Sequence, residues 1–237
     1  MCRLFGYKTE NPQKTNNLFV KSIGDFRYLA KDGCVPCGIE KGHNDGWGIV
    51  LYKDDAPCFY YRSVVSIKKD NNFDEIVNII KKIKPNIAII HLRKISVGAK
   101  TIENTQPFLS DTFSLAHNGT ISYSKRNLKK SDTFLFFKDI INSKNLTPLI
   151  SFKKKYKNII LKNNYTSTNM IFSDGLNLFA TKNINYKHPR ANKFCFDKYY
   201  TLNQFDFSEC LFICSEETLF LKKGKKKSLE DIKIYKY

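Results

Sequence analysis

Short apolar runs, several of them alternating with polar residues, recur along this chain and constrain its fold more than any other feature. Strand-like runs begin at Gly46 ("GWGIVLY"), Cys58 ("CFYYR"), Asn86 ("NIAIIHL") and Phe113 ("FSLAH"). Later runs read "NMIFSDGLNLFAT", "CLFICS" and "TLFLKK". Runs of this kind predict half-buried and buried β-strands. The chain is therefore predicted to be rich in β-sheet.

Two hairpins are predicted from the later runs. The pair Asp174–Gly175 lies between two apolar halves, and Asp-Gly is a strong signal for a tight hairpin turn. The last two runs predict a second hairpin that turns near Glu216 and Glu217.

Two segments carry a helical pattern instead. Asn72 is the expected N-cap of "NNFDEIVNIIKKIK", and Ser131 is the expected N-cap of "SDTFLFFKDIINSK". The apolar faces are Phe73, Ile76, Val77, Ile80 and Ile83 in the first helix, and Phe134, Phe137, Ile140 and Ile141 in the second. Many strands with a few amphipathic helices favour a layered α+β fold. With no linker-like stretch, we expect residues 1–237 to form a single domain.

The composition limits the partners and the location. Lys and Arg number 40 against 22 Asp and Glu, which gives a net charge of +18. The lysines are scattered, apart from "FKKKYK" and "KKGKKK", and no aromatic RNA-binding signature accompanies them. No apolar run approaches the roughly 20 residues that span a bilayer. We therefore expect no nucleic-acid or membrane partner and, without a signal-peptide pattern, a cytoplasmic protein.

Seven scattered cysteines predict reduced thiols. The pair Cys34 and Cys37 has three interpretations: half of a zinc site completed by Cys58 or His43, a redox pair, or two ordinary loop thiols. We expect the last, and hence no metal. The three late cysteines are expected in the core of apolar strands: Cys195, Cys210 and Cys214.

The start of the chain, "MCRLFGY", raises the question of catalysis. Removal of Met1 would give Cys2 both a thiol nucleophile and a free α-amine, whose pKa of about 7.7–8.0 suits a base. A thiolate that attacks an amide carbonyl creates an oxyanion, which needs donors placed in advance. Asn118 and Gly119 follow a strand-like run and supply a side-chain amide and a backbone N–H.

Two further charged residues fit a substrate with a carboxylate and an ammonium group. Arg93 ends a buried strand and suits bidentate carboxylate binding. Asp132 begins a helix, where it can also simply complement the helix dipole. Each of these residues has an ordinary structural explanation when it is considered alone. Their joint occurrence, in this order, favours a site.

The ordered motifs resemble those of the class II glutamine amidotransferases, whose catalytic domain is an N-terminal nucleophile hydrolase. The matching segments are "MCRLFGY", "HNDGWGI", "HLRKISVG", "NTQPF", "AHNG", "SDGLNLFATK" and "ICSEETL". They run from Cys2 to about Glu217, and "MCRLFGY" is similar to the stand-alone branch of the family. The resemblance implies a four-layer αββα sandwich with two mainly antiparallel sheets between helices.

The resemblance also implies roles for individual residues. Cys2 would be the nucleophile and the base, Asn118 and Gly119 the oxyanion hole, Arg93 the carboxylate ligand and Asp132 the ammonium ligand. Ser96 stands where the family often has a supporting threonine, while His43 and Asp45 lie in the motif beside the nucleophile and receive no firm role. Neither a cofactor nor a metal is implied.

The implied reaction is cleavage of a γ-glutamyl amide such as glutamine through a thioester on Cys2. The family's usual Trp and His positions hold Lys94 and Val97, and Phe134 replaces an acidic residue, so the substrate can differ from free glutamine. Three alternatives stay open: transfer of ammonia to a separate synthase, plain hydrolysis of a γ-glutamyl peptide or thiol conjugate, and a catalytically inactive basic binding module, which retention of Met1 would require.

Overall fold

The protein is represented by a computed structural model, which describes residues 2–122, 129–191 and 195–237. The strands in chain order are β1 (Arg3–Thr9), β2 (Trp47–Lys53), β3 (Ala56–Ser63), β4 (Ile87–Leu92), β5 (Phe108–Ser110), β6 (Phe113–Asn118), β7 (Asn169–Ser173), β8 (Leu178–Lys182), β9 (Asn203–Phe207), β10 (Cys210–Cys214), β11 (Lys225–Ser228) and β12 (Lys233–Lys236). They form a seven-stranded sheet, β11-β9-β10-β1-β4-β2-β3, and a five-stranded sheet, β12-β8-β7-β6-β5. Neighbouring strands are antiparallel throughout both sheets.

Helices cover the outer face of each sheet. They are α1 (Pro12–Asp32), α2 (Phe73–Ile83), α3 (Asp132–Ile141) and α4 (Pro148–Lys162), whereas the short helix α5 (Phe196–Tyr199) packs in a separate apolar cluster. On the seven-stranded sheet, an apolar cluster joins Phe19 of α1 to Phe5 of β1 and includes residues of α2. On the five-stranded sheet, a second cluster joins Phe136 of α3 and Phe152 of α4 to Phe172 of β7.

A third apolar cluster fills the space between the two sheets. It joins Leu4 and Ile89 of the seven-stranded sheet to Ala116 and Ile171 of the five-stranded sheet. Two stacked antiparallel sheets therefore lie between two helical layers, which confirms the predicted four-layer αββα fold.

Strand alternation brings reactive positions onto the inner faces of this sandwich. Leu4 and Ala116 face the space between the sheets, and Cys2 and Asn118 each lie two residues further along the same faces. Cys2 directly precedes β1, and Asn118 is the last residue of β6. The two residues consequently meet at one end of the sandwich.

Two local predictions are confirmed. The Ser131 side chain caps α3 by accepting a hydrogen bond of 3.1 Å from the Phe134 N–H. The Asp174–Gly175 pair forms the turn between β7 and β8, and Asp174 Oδ1 accepts a hydrogen bond of 2.8 Å from the Asn177 N–H. Both signals depend only on neighbours in the sequence, which explains why they could be predicted from it.

The predicted side-chain cap of α2 is wrong. Asn72 occupies the N-cap position, but its side chain makes no capping hydrogen bond. Its Nδ2 instead donates to the Tyr61 hydroxyl at 3.0 Å. The nearby carboxylate of Asp70 accepts from the Asn72 N–H at 3.1 Å and from Trp47 Nε1 at 2.8 Å. A tertiary network centred on Asp70 therefore replaces the expected cap.

The predicted hairpin between "CLFICS" and "TLFLKK" is also wrong. β10 pairs with β1 on one side and with β9 on the other, so its hairpin partner precedes it in the chain. The "TLFLKK" segment forms turns and a short 3-10 helix over Leu221–Lys223. It packs Leu221 and the partly buried Phe220 against the α1 side of the seven-stranded sheet without strand pairing, while Leu219 is exposed.

The expectation that all cysteines are reduced is overturned by a disulfide between Cys37 and Cys195, which lie 158 positions apart in the sequence. Cys195 is therefore not a core residue of a strand, because it occupies the N-cap position of the short helix α5. The predicted burial of Cys210 and Cys214 on β10 is confirmed. Cys34, the other half of the CxxC pair, is exposed and not disulfide-bonded.

Within the described ranges, no group of three or more His, Cys, Asp or Glu residues is arranged to hold a metal ion. Among the same residues, no helix combines the length and the apolar character that crossing a membrane would need.

Candidate active site

The Cys2 backbone nitrogen and the Asn118 side chain form the central contact of the site. The nitrogen donates a hydrogen bond of 2.9 Å to Asn118 Oδ1, although the two residues are 116 positions apart. Cys2 is 7% exposed and Asn118 is fully buried. Asn118 Nδ2 has no hydrogen-bond partner in the described part of the chain, so its N–H groups are available to a ligand. The predicted nucleophile and the predicted oxyanion donor are therefore adjacent.

Gly119 follows Asn118 at a place where no side chain fits. A Cβ atom on Gly119 would lie 1.9 Å from the backbone oxygen of Ser167 and 2.7 Å from His117 Nε2. His117 Nε2 donates to that same Ser167 oxygen at 3.0 Å, and its Nδ1 lies 2.9 Å from Thr133 Oγ1. Burial lowers the pKa of His117. The neutral His117 imidazole therefore holds the Ser167 backbone oxygen in place against Gly119.

Arg3 and Tyr199 enclose the other side of Cys2. Arg3 Nη1 donates to the Cys2 carbonyl oxygen at 3.3 Å, and its Nε and Nη2 bond to the Glu216 carboxylate and the Cys34 carbonyl. The Arg3 guanidinium lies 4.5 Å from the centre of the Tyr199 ring. These contacts join the loop after α1, the segment after β10 and helix α5 around Cys2.

The surroundings of Cys2 favour its thiolate form. Burial alone would raise the pKa of the thiol, but the positive charge at the amino terminus and the nearby His91 imidazole outweigh burial and lower the pKa to about 5. The ordinary value is about 8.5. His91 is fully buried on β4, and neither ring nitrogen meets the geometry of a regular hydrogen bond within the described residues. A low thiol pKa is characteristic of reactive cysteines.

Arg93 lies beside Cys2. Arg3 of β1 pairs with Leu92 of β4, so the next residues, Cys2 and Arg93, are neighbours at the ends of the two strands. Arg93 is 3% exposed, and its Nη2 donates to the Ala99 carbonyl at 2.9 Å. Its Nη1 is buried and unpartnered among the described residues. This guanidinium therefore keeps donor capacity for an anionic ligand.

Asp45 and His43 contact the loops around the site. Asp45 Oδ2 accepts a hydrogen bond of 2.7 Å from the Ile95 N–H, and its own N–H donates to the Arg93 carbonyl at 3.0 Å. His43 is fully buried, and its Nε2 lies 3.1 Å from the Cys34 carbonyl. Asp45 thus fixes the backbone after β4, while His43 fixes the loop that contacts Arg3.

The remaining predicted ligands occupy different settings. Asp132 is buried at the start of α3, and its Oδ2 accepts a hydrogen bond of 2.6 Å from the Ile121 N–H, three residues beyond Asn118. This contact links the carboxylate to the segment that follows Asn118 and Gly119. Ser96 is exposed on the segment after β4.

Three positions depart from the family pattern, and the structure shows what two of them do. Lys94 Nζ donates to the Glu40 carbonyl at 2.7 Å, and the Lys94 carbonyl oxygen lies 3.8 Å from Cys2 Sγ. Phe134 packs edge-on against Phe108 of β5, with ring centroids 5.6 Å apart. Lys94 therefore links the segment after β4 to the Glu40 loop, and Phe134 adds to the core. Val97 is half-buried.

Several residues around the site lie outside the predicted set, among them His91 and Tyr199. His91 could have been found from the sequence, because strand alternation places it on the same face as Arg93, two residues later. Tyr199 carries no comparable signal, since it follows Asn118 by 81 positions and belongs to no motif. Met1, whose removal the predicted chemistry requires, lies outside the described residues.

Comparison with known sequences points to one family. A family model described as "Glutamine amidotransferases class-II" matches residues 1–140. An uncharacterised protein of Methanocaldococcus jannaschii is 29% identical over 180 residues, which cover 68% of this chain and 46% of that protein. The chain spans less than half the length of the curated relatives it matches.

Comparison with solved structures agrees on the fold. Glutamine phosphoribosylpyrophosphate amidotransferase from B. subtilis matches with a TM-score of 0.61 and 18% identity, covering 99% of this chain and 47% of that one. A glutamine aminotransferase class-II domain protein from Silicibacter pomeroyi matches with a TM-score of 0.55 and 13% identity, covering 99% and 94% of the two chains. At these identities the similarity concerns the architecture alone.

Proposed function

Because this chain belongs to the class II glutamine amidotransferases, we propose that it cleaves a γ-glutamyl amide through a thioester on Cys2 after Met1 is removed. The contact of 2.9 Å between the Cys2 nitrogen and Asn118 Oδ1 carries the proposal. It supports the proposal because removal of Met1 would turn this nitrogen into an α-amine beside both the Cys2 thiol and the Asn118 side chain.

The reaction begins when the Cys2 thiolate attacks the carbonyl carbon of the amide. Asn118 Nδ2 and the Gly119 N–H stabilise the resulting oxyanion, and one such donor typically contributes about 3 kcal/mol to transition-state stabilisation. The tetrahedral intermediate then loses the amine, which takes its proton from the α-ammonium of Cys2. Water next attacks the thioester, releases the glutamyl acid and restores the thiol.

Binding of the glutamyl group is assigned to three residues. The free donors of Arg93 suit the α-carboxylate, and the buried carboxylate of Asp132 suits the α-ammonium. Ser96 is proposed to support the carboxylate from the segment after β4. No metal or organic cofactor is needed for any of these steps.

The leaving group follows less directly from the site. Lys94 stands next to Arg93 where the family usually has an aromatic residue, and its Nζ donates a hydrogen bond to the Glu40 carbonyl. The segment that would cover the substrate therefore differs from that of the usual family members. This difference favours, as a second candidate, hydrolysis of a γ-glutamyl peptide or thiol conjugate without ammonia transfer. If ammonia is transferred, we propose that a separate synthase subunit accepts it.

Location and domain organisation are also proposed. We place the protein in the cytoplasm and assign residues 1–237 to one domain. The Cys37–Cys195 disulfide is unusual for this location, because disulfides are uncommon in the cytoplasm and are often transient there.

The first experiment is the intact mass before and after incubation with 6-diazo-5-oxo-norleucine, an electrophile that resembles glutamine. We expect the loss of one methionine mass and the gain of one adduct in the wild type, with no adduct in Cys2→Ala. Cys58→Ser is the matched control, since Cys58 is an exposed thiol on β3 that is not disulfide-bonded.

Each other outcome has a defined meaning. Removal of Met1 without an adduct would favour the second candidate, which assays with γ-glutamyl peptides would then test. Retention of Met1 would contradict the enzymatic proposal and leave an inactive basic binding module of the same fold. Unchanged amidase activity in Cys2→Ala would exclude Cys2 as the nucleophile.

A further inference from the structure

Tyr199 reaches the candidate active site from outside every sequence motif. It is the last residue of α5 and is 1% exposed. Its hydroxyl lies 3.3 Å from the Cys2 carbonyl oxygen and 3.4 Å from Asn118 Oδ1. We propose that Tyr199 is a positioning residue, which holds the Asn118 side-chain amide so that its N–H groups face the developing oxyanion. This inference rests on the proposed function, because it assigns Tyr199 a part in the same reaction.

The orientation of the Asn118 amide depends on the donors around it. The Cys2 N–H and the Tyr199 O–H both approach Asn118 Oδ1. A flipped amide would turn an N–H group toward the Cys2 N–H and would lose that hydrogen bond, and the Tyr199 hydroxyl would then have to accept from the amide instead of donating to it. In the observed orientation, Nδ2 is buried and has no partner among the described residues, so it is the group that a substrate oxygen can meet.

Tyr199 remains a hydrogen-bond donor because its hydroxyl stays protonated. Burial raises the pKa of Tyr199 well above its ordinary value, so the hydroxyl keeps its proton at any working pH. The Arg3 guanidinium lies over one face of the ring at 4.5 Å. At its other end, α5 begins at Cys195, which is bonded to Cys37. Tyr199 is therefore fixed both at its ring and through its backbone.

The neighbouring Tyr200 provides a matched control. It is equally buried, and its hydroxyl lies 3.0 Å from Thr166 Oγ1 instead of Asn118. Removal of either hydroxyl deletes one oxygen atom from the same short segment. Only the Tyr199 hydroxyl contacts both Cys2 and Asn118, so the two variants separate positioning of the amide from local packing.

The test is a double-mutant cycle with Tyr199→Phe, Asn118→Ala and their combination, with Tyr200→Phe as the control. The rate of glutamine hydrolysis is measured by the release of ammonia. We expect Tyr199→Phe to lower kcat about tenfold, as the loss of one hydrogen bond in the site predicts, with KM within about twofold of wild type. The double variant should be no slower than Asn118→Ala, because Tyr199 acts through Asn118. Tyr200→Phe should change kcat by less than about twofold.

A second measurement does not depend on turnover. The side-chain amide signals of Asn118 in ¹⁵N NMR spectra should shift or broaden in Tyr199→Phe and stay unchanged in Tyr200→Phe. The inference would be overturned if the amide signals or kcat were unchanged in Tyr199→Phe. It would also be overturned if kcat of the double variant fell by the product of the two single-variant effects. If the wild type shows neither hydrolysis nor a Cys2 adduct, the proposed function fails, and the NMR result still decides whether Tyr199 positions Asn118.

Discussion

At the scale of single residues, the pKa of Cys2 decides over which pH range the nucleophile is reactive. Its lowered value results from the amino-terminal charge and from His91, which together outweigh burial. A thiol with a lowered pKa is a thiolate above that value and becomes protonated only as the pH falls through it. Reactivity should therefore persist into mildly acidic solution, where an ordinary cysteine is inert.

Alkylation by iodoacetamide across pH tests this prediction. The rate at Cys2 should have a midpoint well below the ordinary thiol pKa of about 8.5, because the amino-terminal charge and His91 lower the pKa of the Cys2 thiol. His91→Gln should move the midpoint upward, because it removes the partner that favours the thiolate. Cys2→Ala provides the background rate from the other cysteines. A midpoint near the ordinary thiol value of about 8.5 in the wild type would contradict the prediction.

Arg93 supports a second prediction at this scale. Lysine keeps the positive charge but cannot form the planar double contact with a carboxylate. Arg93→Lys should raise KM for glutamine about tenfold or more and change kcat less, because the lost contact binds substrate and transition state alike. Arg27→Lys is the control, since Arg27 lies over Phe73 of α2. Equal KM values for Arg93→Lys and wild type would remove Arg93 from the proposed binding site.

The predicted residues differ in how much of their setting the sequence could reveal. Cys2, Arg93 and Asn118 adjoin strand-like runs, and the order of the motifs was enough to predict that they share a site. The supporting contacts were not predictable in this way. The Asp45 carboxylate accepts a hydrogen bond from the Ile95 N–H, and the Tyr199 hydroxyl lies near Asn118 Oδ1. Both contacts join residues that are far apart in the sequence, so no local pattern predicts them.

At the scale of elements, the Cys37–Cys195 disulfide joins the loop after α1 to the start of α5. Both segments contact Arg3, the first through the Cys34 carbonyl and the second through the Tyr199 ring. The disulfide therefore links two short segments that have little regular structure of their own. We expect it to contribute to the stability of the protein and to the order of the site.

Replacement of both cysteines tests this expectation. Cys37→Ser with Cys195→Ser should lower the free energy of unfolding by roughly 2–4 kcal/mol, because the unfolded chain regains the freedom that the cross-link removes. Urea unfolding measures this effect, with Cys58→Ser as the control. The same double variant should have a lower kcat, since α5 loses its anchor. Alkylation of all seven cysteines without a reductant would show instead that the bond is absent.

The helices show where sequence patterns are insufficient. α2 and α3 were predicted because their apolar faces are regular. α1 and α4 were not: α1 buries Thr15, Asn16 and Ser22, and α4 contains the basic run "FKKKYK". Tertiary packing makes these helices stable, although their patterns are weak. The wrong prediction for "TLFLKK" has a different cause. A short apolar run does not show whether the segment will pair as a β-strand or only pack against the core.

At the scale of the whole molecule, the site depends on how closely the two sheets approach. Cys2 belongs to the seven-stranded side and Asn118 to the five-stranded side, and their hydrogen bond crosses the interface. Gly6 of β1 lies at this interface, two residues beyond Leu4. A Cβ atom on Gly6 would lie 3.2 Å from Ile171 and 3.3 Å from Leu178 of the opposite sheet. The missing side chain therefore permits the close approach of the sheets.

Enlargement of Gly6 should accordingly impair both stability and catalysis. Gly6→Val should lower the free energy of unfolding by about 1–3 kcal/mol through overpacking, and Gly6→Ala by less. Activity should fall in the same order, because a wider gap separates Cys2 from Asn118. Gly24→Ala is the control: its Cβ would meet no atom within 4 Å, and alanine in a helix should stabilise by about 0.5–1 kcal/mol. Full activity in a destabilised Gly6→Val would show that the site tolerates a change in sheet spacing, whereas loss of activity in Gly24→Ala would implicate α1 instead.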